Sequence, residues 1–509
     1  MNALLLGDNM TELLSAKQMQ ECDNRTIEKH EIPSLVLMER AALKVVETIE
    51  KEYGNANSFS VVCGPGNNGG DGVAIARLLK IKGKMVDCMV LGNSEKFSEQ
   101  LKQEIKIAES YGMTIHNKLI EESIERADLT IDAMFGIGLS RGLSGEFDYA
   151  AQIINQCANK VLAVDIPSGY DTDSGKLLGE NGVKADTTVT FAYMKKGLLL
   201  GDCKAVAGKI VVVDVGIYLE NVTDQYATLI DDDIFKFVKP RAVDANKGSC
   251  GKLLVIAGSE SIYGACYLSA KSALATGTGL VKIYTHKNNI ASIQQNLPEA
   301  MYTGYDEYNE KSLAKEMEWA STILIGPGFG TTDMSKSILK QVLSDVKVPL
   351  VIDADGINLL AEDDMKELLK AASARVPVVI TPHLKEMERL TGIKVADINY
   401  NIERVANDFA VGYGCIIVLK NFTTVITDGE IVNFVNSGNE GLATPGSGDV
   451  LAGAIASLIA QKVNPLIRVE VCAATYLHGR AGTAASEMHG VRGVLARHII
   501  DEFAKIEAL

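Results

Sequence analysis

The chain lacks several features that would place it in other classes of protein. Its 509 residues carry 50 Lys and Arg against 65 Asp and Glu, whereas nucleic-acid and anionic-membrane surfaces need clustered cations. No apolar run approaches the roughly 20 residues that cross a bilayer. The first ten residues, MNALLLGDNM, lack the basic segment of a signal peptide. We therefore expect a cytoplasmic protein whose partners are small molecules, not nucleic acid or membrane, and we also expect a homo-oligomer.

The nine cysteines form no CxxC pair, and most lie inside apolar stretches such as VVCG and CIIVLK. This usage is typical of buried free thiols in a reducing compartment. The nine are Cys22, Cys63, Cys88, Cys157, Cys203, Cys250, Cys266, Cys415 and Cys472.

The length predicts at least two domains, because one core rarely serves more than about 250 to 300 residues. Apolar runs alternate with helical patterns, which is typical of parallel sheets covered by helices on both faces. The predicted strands are 59–63, 85–91, 129–133, 161–165, 187–191 and 210–215, then 253–257, 280–285, 322–325, 350–353, 378–381 and 416–419. Between these sets the pattern lapses into an acidic stretch, so we expect domains at 1–222 and 246–509 with a linker at 223–245. No aligned repeat relates the halves, which indicates a fusion of different units.

Two glycine-rich segments lie about 380 residues apart, at 64–72 (GPGNNGGDG) and 444–453 (TPGSGDVLAG). Each follows an apolar run and precedes a helical pattern. A strand, a glycine turn and a helix N-terminus direct backbone N–H groups at one point, where phosphate binds without Lys or Arg. Each segment also carries an acid, Asp71 or Asp449. The two segments predict two nucleotide-handling sites.

In the first half, further polar motifs follow successive predicted strands. They are Asp132, the segment 136–142 (GIGLSRG) and Asp165 with Ser168 in VDIPSG. Ligands collect at the carboxyl ends of parallel strands, so these motifs should converge on one cleft. Taken singly, Asp132 and Asp165 are equally compatible with turn caps and Arg141 with a surface charge.

Residues 15–218 resemble the YjeF N-terminal domain, an NAD(P)H-hydrate epimerase, through LMERAA, GPGNNGGDG, DAMFGIGLSRG, VDIPSG and TFAYMKKG. The resemblance implies a Rossmann-like domain that interconverts the R and S hydrates, with Asp165 as the catalytic acid or base. It also implies K⁺ bound by Asn68, Asp132 and Ser168, which supply the hard oxygen ligands such a cation prefers. The implied substrate contacts are Asn67, Asn68, Gly69, Gly70, Asp71, Gly136, Ile137, Gly138, Leu139, Ser140, Arg141, Gly142 and Asp165. The usual GGGNNGGDG opens here as GPGNNGGDG, which restricts the turn but leaves the later amides.

In the second half, GSGDVLAGAIASLIA places Asp449 at the start of an apolar helix. Amides there can stabilise a transferring phosphoryl group, and Asp449 can accept a proton from the attacking hydroxyl. A simple N-cap role for Asp449 is the alternative interpretation.

Residues 247–498 resemble the ribokinase-like superfamily and, within it, the YjeF C-terminal domain, an ADP- or ATP-dependent NAD(P)H-hydrate dehydratase. The matching segments include KGSCGKLLVIAGS, IGPGFG, VIDADGINLL, TPHLKEM, VLKNFTTVITDG and GNEGLATPGSGDVLAG. The resemblance implies phosphorylation of the ring hydroxyl followed by loss of phosphate, with Mg²⁺ neutralising the donor.

The hydrate contacts implied by this second resemblance are Ala265, Gly328, His383, Leu384, Lys385, Glu386, Met387, Glu388, Arg389 and Asp449. The implied contacts to ADP or ATP are Lys420, Asn421, Phe422, Thr423, Thr424, Asn439, Glu440, Gly441, Leu442, Ala443, Thr444, Pro445, Gly446, Ser447 and Gly448. Two departures from the family pattern affect these sets: the usual PHPGE is PHLKE, and LKGxxT is LKNFTT. His478, in YLHGRAG, is expected to pack.

The favoured hypothesis is a bifunctional enzyme that repairs damaged NADH and NADPH, in which the first domain epimerises the hydrates and the second dehydrates the S form. One alternative is a ribokinase-like kinase of a small alcohol or vitamin with an N-terminal nucleotide-sensing domain. Another makes the first domain a non-catalytic binding module. The choice between ADP and ATP, and between the NADH and NADPH hydrates, stays open.

Overall fold

A computed structural model describes residues 11–219 and 226–506. The chain divides into two compact units, Glu12–Tyr226 and a second unit from Ala227 onward. Both units are α/β, with helices between mostly parallel strands, which confirms the predicted fold class.

The first unit alternates strands and helices along almost its whole length. Its elements are β1 (Thr11–Leu14), α1 (Ala16–Glu28), α2 (Ser34–Glu52), β2 (Ser58–Cys63), α3 (Asn67–Ile81), β3 (Met85–Val90), α4 (Glu99–Ser110), β4 (Ile115–His116), α5 (Glu121–Arg126), β5 (Leu129–Ala133), α6 (Glu146–Cys157), β6 (Val161–Val164), β7 (Thr187–Phe191), β8 (Met194–Lys195) and β9 (Lys209–Val213).

The main sheet of the first unit is parallel throughout, in the order β4-β3-β2-β5-β6-β7-β9. Alternate residues of β2 enter different cores, as the period of two in a strand requires. Val61 and Cys63 pack with α2, α3 and α4, whereas Val62 packs with α5 and α6. The sheet is therefore covered on both faces, which explains why its strands are continuous apolar runs in the sequence.

Strand order reverses between β2 and β5, where Cys63 pairs with Ala133. Chain leaving these two strands diverges to opposite sides, which opens a crevice at their carboxyl ends. The segment 64–72 and the residues after Asp132 lie at this crevice. Topology thus accounts for the site that the sequence motifs predict.

The second unit has a longer sheet and more helices. Its elements are β10 (Ala227–Ile230), β11 (Lys252–Ile256), α7 (Gly264–Ala275), β12 (Leu280–His286), α8 (Ile290–Asn296), β13 (Met301–Tyr305), α9 (Glu310–Trp319), β14 (Thr322–Ile325), α10 (Asp333–Asp345), β15 (Leu350–Ile352), α11 (Asp355–Leu360), α12 (Asp363–Ser373), β16 (Val378–Ile380), α13 (Leu384–Thr391), α14 (Val395–Tyr400), α15 (Ile402–Tyr413), β17 (Ile416–Leu419), β18 (Thr424–Thr427), β19 (Val432–Val435), α16 (Ser447–Gln461), α17 (Ile467–His489) and α18 (Ala496–Phe503).

Within this unit the strands follow the order β13-β12-β11-β14-β15-β16-β17-β18-β19-β10. Pairing is parallel except where β18 runs antiparallel to β17 and β19. Leu253 and Val255 of β11 enter a core with α7, α16, α17 and α18, while Leu254 and Ile256 are buried on the opposite face. Strand order reverses between β11 and β14, so the second crevice lies at the carboxyl ends of those strands.

The segment 223–245, which we expected to be a linker, contains ordered structure in its described part. Residues of β10 pair in parallel with β19, and a 3₁₀ helix follows at Asp232–Phe237. Ile230 and Ile234 are buried in the core of the second unit. The acidic residues around 231–233 concealed this short apolar alternation in the sequence.

The glycine segments also differ from the loops that the sequence suggests. Asn67 already begins α3, and Ser447 begins α16, so both segments contribute the first helical turn itself. Position 69 in the first turn of α3 must be glycine, because a Cβ there would approach within 1.9 Å of the Gly64 carbonyl oxygen. The first-turn amides are those that lack an intrahelical partner, as a phosphate cradle requires.

The state of the cysteines and the hydropathy of the helices can be compared with the expectations from the sequence. All nine cysteines are free, and all except the partly exposed Cys157 are buried. In the described ranges no helix is both long and apolar enough to cross a membrane.

Candidate active sites

In the first unit, Asp132 and Ser168 form a buried pair at the carboxyl ends of β5 and β6. The Ser168 N–H donates to Asp132 Oδ2 at 2.8 Å, and its hydroxyl donates to Oδ1 at 2.7 Å. Burial raises the pKa of Asp132 to about 6, against these hydrogen bonds. A cation at this carboxylate would offset its desolvation.

Asn68 and Asp165 meet across Gly136. A Cβ on Gly136 would lie 3.2 Å from Asn68 Oδ1 and 3.3 Å from Asp165 Oδ2. The Asn68 side-chain nitrogen is buried with no hydrogen-bond partner in the described part of the chain, which is costly for an amide unless a ligand supplies the acceptor. The helix start, the loop after β5 and the end of β6 therefore converge as the sequence motifs predict.

Asp165 is itself 7% exposed and forms an ion pair with Lys195, whose Nζ lies 2.6 Å from Asp165 Oδ1. Two further carboxyls surround this pair. Burial, and then the charge of Asp165, raise the pKa of Asp23 on α1 and of Asp71 on α3; Lys195 opposes the shift of Asp23. Lys195 thus pairs with Asp165 and lies near Asp23, while the negative charge of Asp165 acts on both Asp23 and Asp71.

The rest of the loop after β5 diverges from this point. Gly142 packs against the backbone at 178–179, and Ser140 and Arg141 are exposed. Gly138 borders open space, because a Cβ there would meet no atom within 4 Å. The structure therefore brings the beginning of 136–142 to Asp165, and leaves the end of that segment exposed or packed elsewhere.

In the second unit, Asp449 is the third residue of α16, at the carboxyl edge of the sheet. Burial, and then the negative charge of Asp353, raise the pKa of Asp449 to about 7, with Lys420 opposing. A carboxyl that titrates near neutrality is matched to proton transfer.

Lys420 follows β17, and its Nζ donates to Asp353 Oδ1 at 3.0 Å. Burial alone would lower the pKa of Lys420, but the charges of Asp353 and Glu386 outweigh it, and the pKa is raised. A Cβ on Gly448 would lie 3.5 Å from the Lys420 Nζ. The lysine therefore stands beside the first turn of α16, where a donor phosphate would bind.

His383 and Glu386 cap α13 reciprocally. His383 Nδ1 accepts from the N–H groups of Lys385 and Glu386 at 3.1 Å, and Glu386 Oε2 accepts from the His383 N–H at 2.8 Å. Burial and the nearby Lys420 lower the pKa of His383, and burial raises that of Glu386 to about 7. This capping box holds both side chains at the edge near Lys420. Lys385, which departs from the family pattern, is exposed.

The other predicted contacts of the second unit fall into three groups. Ala265 and Gly328 touch, since a Cβ on Gly328 would lie 2.9 Å from the Ala265 Cβ. Met387 is fully buried, and Arg389 donates to Asn358 Oδ1 at 2.7 Å. Leu384 and Glu388 also belong to α13. The remaining members lie in the turn leading into β18 and its first residue, or in the chain leading into α16 and its first residue: Asn421, Phe422, Thr423, Thr424, Asn439, Glu440, Gly441, Leu442, Ala443, Thr444, Pro445, Gly446 and Ser447.

His478 fulfils the packing role expected of it and adds one contact. It is 6% exposed on α17, burial lowers its pKa to about 4, and its Nε2 lies 3.2 Å from Ser447 Oγ. A neutral imidazole therefore supports the first residue of α16.

Sequence reasoning missed Lys195, Thr190, Asp353 and Thr381. Thr190 donates to Asp165 Oδ1 at 3.2 Å, and Thr381 donates to Asp353 Oδ1 at 2.6 Å. All four lie in segments quoted for the resemblances (TFAYMKKG, VIDADGINLL and TPHLKEM) or immediately beside them. Asp353 and Thr381 directly follow strands, and that position is the signal that could have identified them, whereas Lys195 and Thr190 lie within short strands and carry no comparable signal.

Comparisons with known proteins cover both units. Residues 34–197 match the family described as YjeF-related protein N-terminus, and residues 253–505 match the family described as NAD(P)H-hydrate dehydratase. The chain is 33% identical to the bifunctional NAD(P)H-hydrate repair enzyme Nnr of Moorella thermoacetica, over 96% of this chain and 95% of that protein.

Two further similarities agree with this result. The Nnr enzyme of Escherichia coli is 32% identical, with 92% of this chain and 89% of that protein covered. A crystal structure of a ribokinase-like superfamily protein from Enterococcus faecalis V583 aligns with a TM-score of 0.50 at 30% identity, covering 56% of this chain and 97% of that one. The similarity therefore extends across both units.

Proposed function

This chain belongs to the family of bifunctional NAD(P)H-hydrate repair enzymes, and from that premise we propose that its two units perform successive reactions on one damaged cofactor. The first unit interconverts the R and S hydrates of NADH and NADPH. The second dehydrates the S form with ADP or ATP and releases phosphate. The observation that carries the proposal is that each unit holds an aspartate near a lysine at the carboxyl ends of its strands: Asp165, which is buried, in the first unit and Asp449, which is partly buried, in the second.

In the first unit, Asp165 serves as the acid or base that exchanges a proton with the hydrate. The predicted contacts at 67–71 and 136–142 bind the dinucleotide, with the N-terminal amides of α3 facing its phosphates. The donor set of Asn68, Asp132 and Ser168 suits K⁺, because it offers oxygens around a buried carboxylate that needs a counter-charge. Bound K⁺ would supply a fixed positive charge to that crevice.

In the second unit, the predicted donor contacts at 420–424 and 439–448 hold ADP or ATP, and those at 265, 328 and 383–389 hold the hydrate. Asp449 accepts the proton of the ring hydroxyl as that oxygen attacks the terminal phosphorus of the donor. The bond between the ring carbon and the ester oxygen then breaks, so that the phosphate group leaves as inorganic phosphate, and loss of a proton from the adjacent ring carbon forms the double bond of the dihydropyridine. Lys420 and the α16 amides stabilise the transferring group.

Mg²⁺ would accompany the donor phosphates. Among the described residues no group of three or more His, Cys, Asp or Glu side chains could hold a metal ion. The described residues therefore offer Mg²⁺ no cage of such side chains.

We also propose a location and partners for the protein. Nine free, mostly buried thiols support a reducing, cytoplasmic location. The proposed partners are the hydrates and ADP or ATP, together with a homo-oligomeric assembly.

The direct test is to incubate the purified protein with mixed hydrate epimers and either ADP or ATP. We expect reduced-nucleotide absorbance to return for both epimers, with one phosphate released per cofactor restored. Accumulation of a stable phosphorylated product would instead identify a small-molecule kinase. Repair of the S form alone would leave the first unit a binding module.

A further inference from the structure

Asp165 lies at the tip of a strained turn. Its φ of +71° is in the left-handed region, and the N–H of the next residue donates to the carbonyl of the preceding residue at 2.9 Å, which closes a three-residue γ-turn. After the neighbouring strand β7, Ala192 has a φ of +59° and the same pattern closes at 2.7 Å. Such strain persists only where the surroundings hold it.

Lys195 joins these two turns. Its Nζ donates to Asp165 Oδ1 at 2.6 Å, to Thr190 Oγ1 at 2.9 Å and to the Phe191 carbonyl oxygen at 2.8 Å. A lysine ammonium has three donors, so all of them are engaged. The side chain is 1% exposed. Lys195 is therefore built into the wall of the site and has no donor left for a ligand.

The two carboxylate oxygens of Asp165 have different surroundings. Oδ1 accepts from Lys195, from Thr190 and, at 3.4 Å, from the Phe191 N–H. Oδ2 accepts no hydrogen bond from any residue that the structure describes, and it faces the space beside Gly136 that Asn68 also borders. One oxygen is fixed and the other is free toward the crevice.

We propose that Lys195 is a positioning residue, which binds Oδ1 and thereby aims Oδ2 of Asp165 at the hydrate as the oxygen that exchanges its proton. This inference rests on the epimerase function proposed above. An acid or base held in one orientation reacts faster because its alignment need not be found in each turnover. Because Lys195 acts through Asp165, its loss should lower kcat and leave KM nearly unchanged.

The experiment uses the full chain with Lys195→Met, which keeps the length of the side chain and removes its donors. We expect kcat for epimerisation to fall about 100-fold, within the range that proton-transfer groups contribute, with KM changed less than about threefold. Lys195→Arg keeps the positive charge and a donor for Oδ1 but places a larger planar group at a 1%-exposed position, so its kcat should lie between those of Lys195→Met and the wild type. A purely structural role would not produce this split or this recovery.

Thr190→Val is the second variant, in case Lys195→Met does not fold. It removes one donor to Oδ1 and keeps the ion pair, so kcat should fall about three- to tenfold at constant KM. Wild-type kcat in a folded Lys195→Met, or in Thr190→Val if the first does not fold, overturns the proposal. A rise in KM without a fall in kcat also overturns it. Absence of epimerisation by the wild-type chain would instead refute the proposed function.

Discussion

The two units arrive separately at the same trio of side chains. In the first, Asp165 after β6 receives the hydroxyl of Thr190 from β7 and the ammonium of Lys195. In the second, Asp353 after β15 receives the hydroxyl of Thr381 after β16 and the ammonium of Lys420 after β17. A non-glycine residue of positive φ accompanies each trio: it is Asp165 itself in the first unit and Ala354, the residue after Asp353, in the second.

The trios differ in whether the lysine is accessible to a ligand. Lys195 is 1% exposed with all donors engaged, whereas the Lys420 side chain is 21% exposed and stands beside the α16 turn. In the first unit the lysine holds Asp165, the aspartate for which we propose the catalytic role. In the second, Asp353 holds the lysine, and the proton acceptor that we propose is a different acid, Asp449. With these proposed roles, the same hydrogen-bonded trio would prepare a base in one site and a cation in the other.

Replacing Asp449 should show the separation of the two sites most strongly. Asp449→Asn keeps the shape of the side chain but cannot accept the proton, so dehydration should fall by about 10²- to 10⁴-fold. Exchange between R and S hydrates, followed chromatographically, should continue at the wild-type rate. Loss of both reactions would contradict the division of labour.

Replacing Lys420 tests whether its ammonium, which pairs with Asp353 beside the first turn of α16, also binds the phosphate donor. Lys420→Met removes one charge from the donor site and leaves Asp353 unpaired, so kcat/KM for ADP or ATP should fall about 10- to 100-fold. Lys420→Arg should retain most of the activity. Unchanged donor kinetics in the Met variant would show that Lys420 serves only its pair with Asp353.

Gly136→Ala tests the free oxygen of the first site. No positive φ forbids the substitution, but the new Cβ would lie 3.2 to 3.4 Å from atoms of Asn68 and Asp165. We expect KM for epimerisation to rise about tenfold, a binding loss of about 1.4 kcal/mol. Gly412→Ala, in the second unit and outside the predicted contacts, is the control, since its Cβ meets no atom within 4 Å. A wild-type KM in Gly136→Ala would contradict the placement of the hydrate between Gly136 and Oδ2 of Asp165.

The dehydration rate should also depend on pH through Asp449. The base must be ionised and its pKa is about 7, so kcat/KM should rise about tenfold per pH unit below that value and level off above it. Lys420, Asp353 and Asp355 set the local field, and Glu386 titrates in the same range. Glu386→Gln should keep the inflection if Asp449 causes it, and a flat profile in that variant would assign the inflection to Glu386.

The sequence predicts the central strands well because they are buried on both faces and appear as continuous apolar runs. Seven strands that the sequence does not predict are short or polar: β1, β4, β8, β10, β13, β18 and β19. Asn67 begins a helix that the five glycines of the segment 64–72 conceal in the sequence, since glycine is a poor helix former. Among site residues, Asp132 and Asp165 were predictable from their position at strand ends, whereas Asp353 was missed. Lys195 was not predictable, because a lysine is exposed by default and only its three hydrogen-bond partners reveal its role.

The central claim is that one chain applies two chemistries to one substrate, and Asp165→Asn tests it most directly. The variant is given pure R hydrate or pure S hydrate with ADP or ATP, and the return of reduced-nucleotide absorbance is followed. The rate of spontaneous interconversion of the hydrates is measured separately, by chromatography without enzyme. We predict wild-type repair of the S hydrate, and repair of the R hydrate no faster than that spontaneous interconversion. Repair of the R hydrate at the wild-type rate would contradict the account.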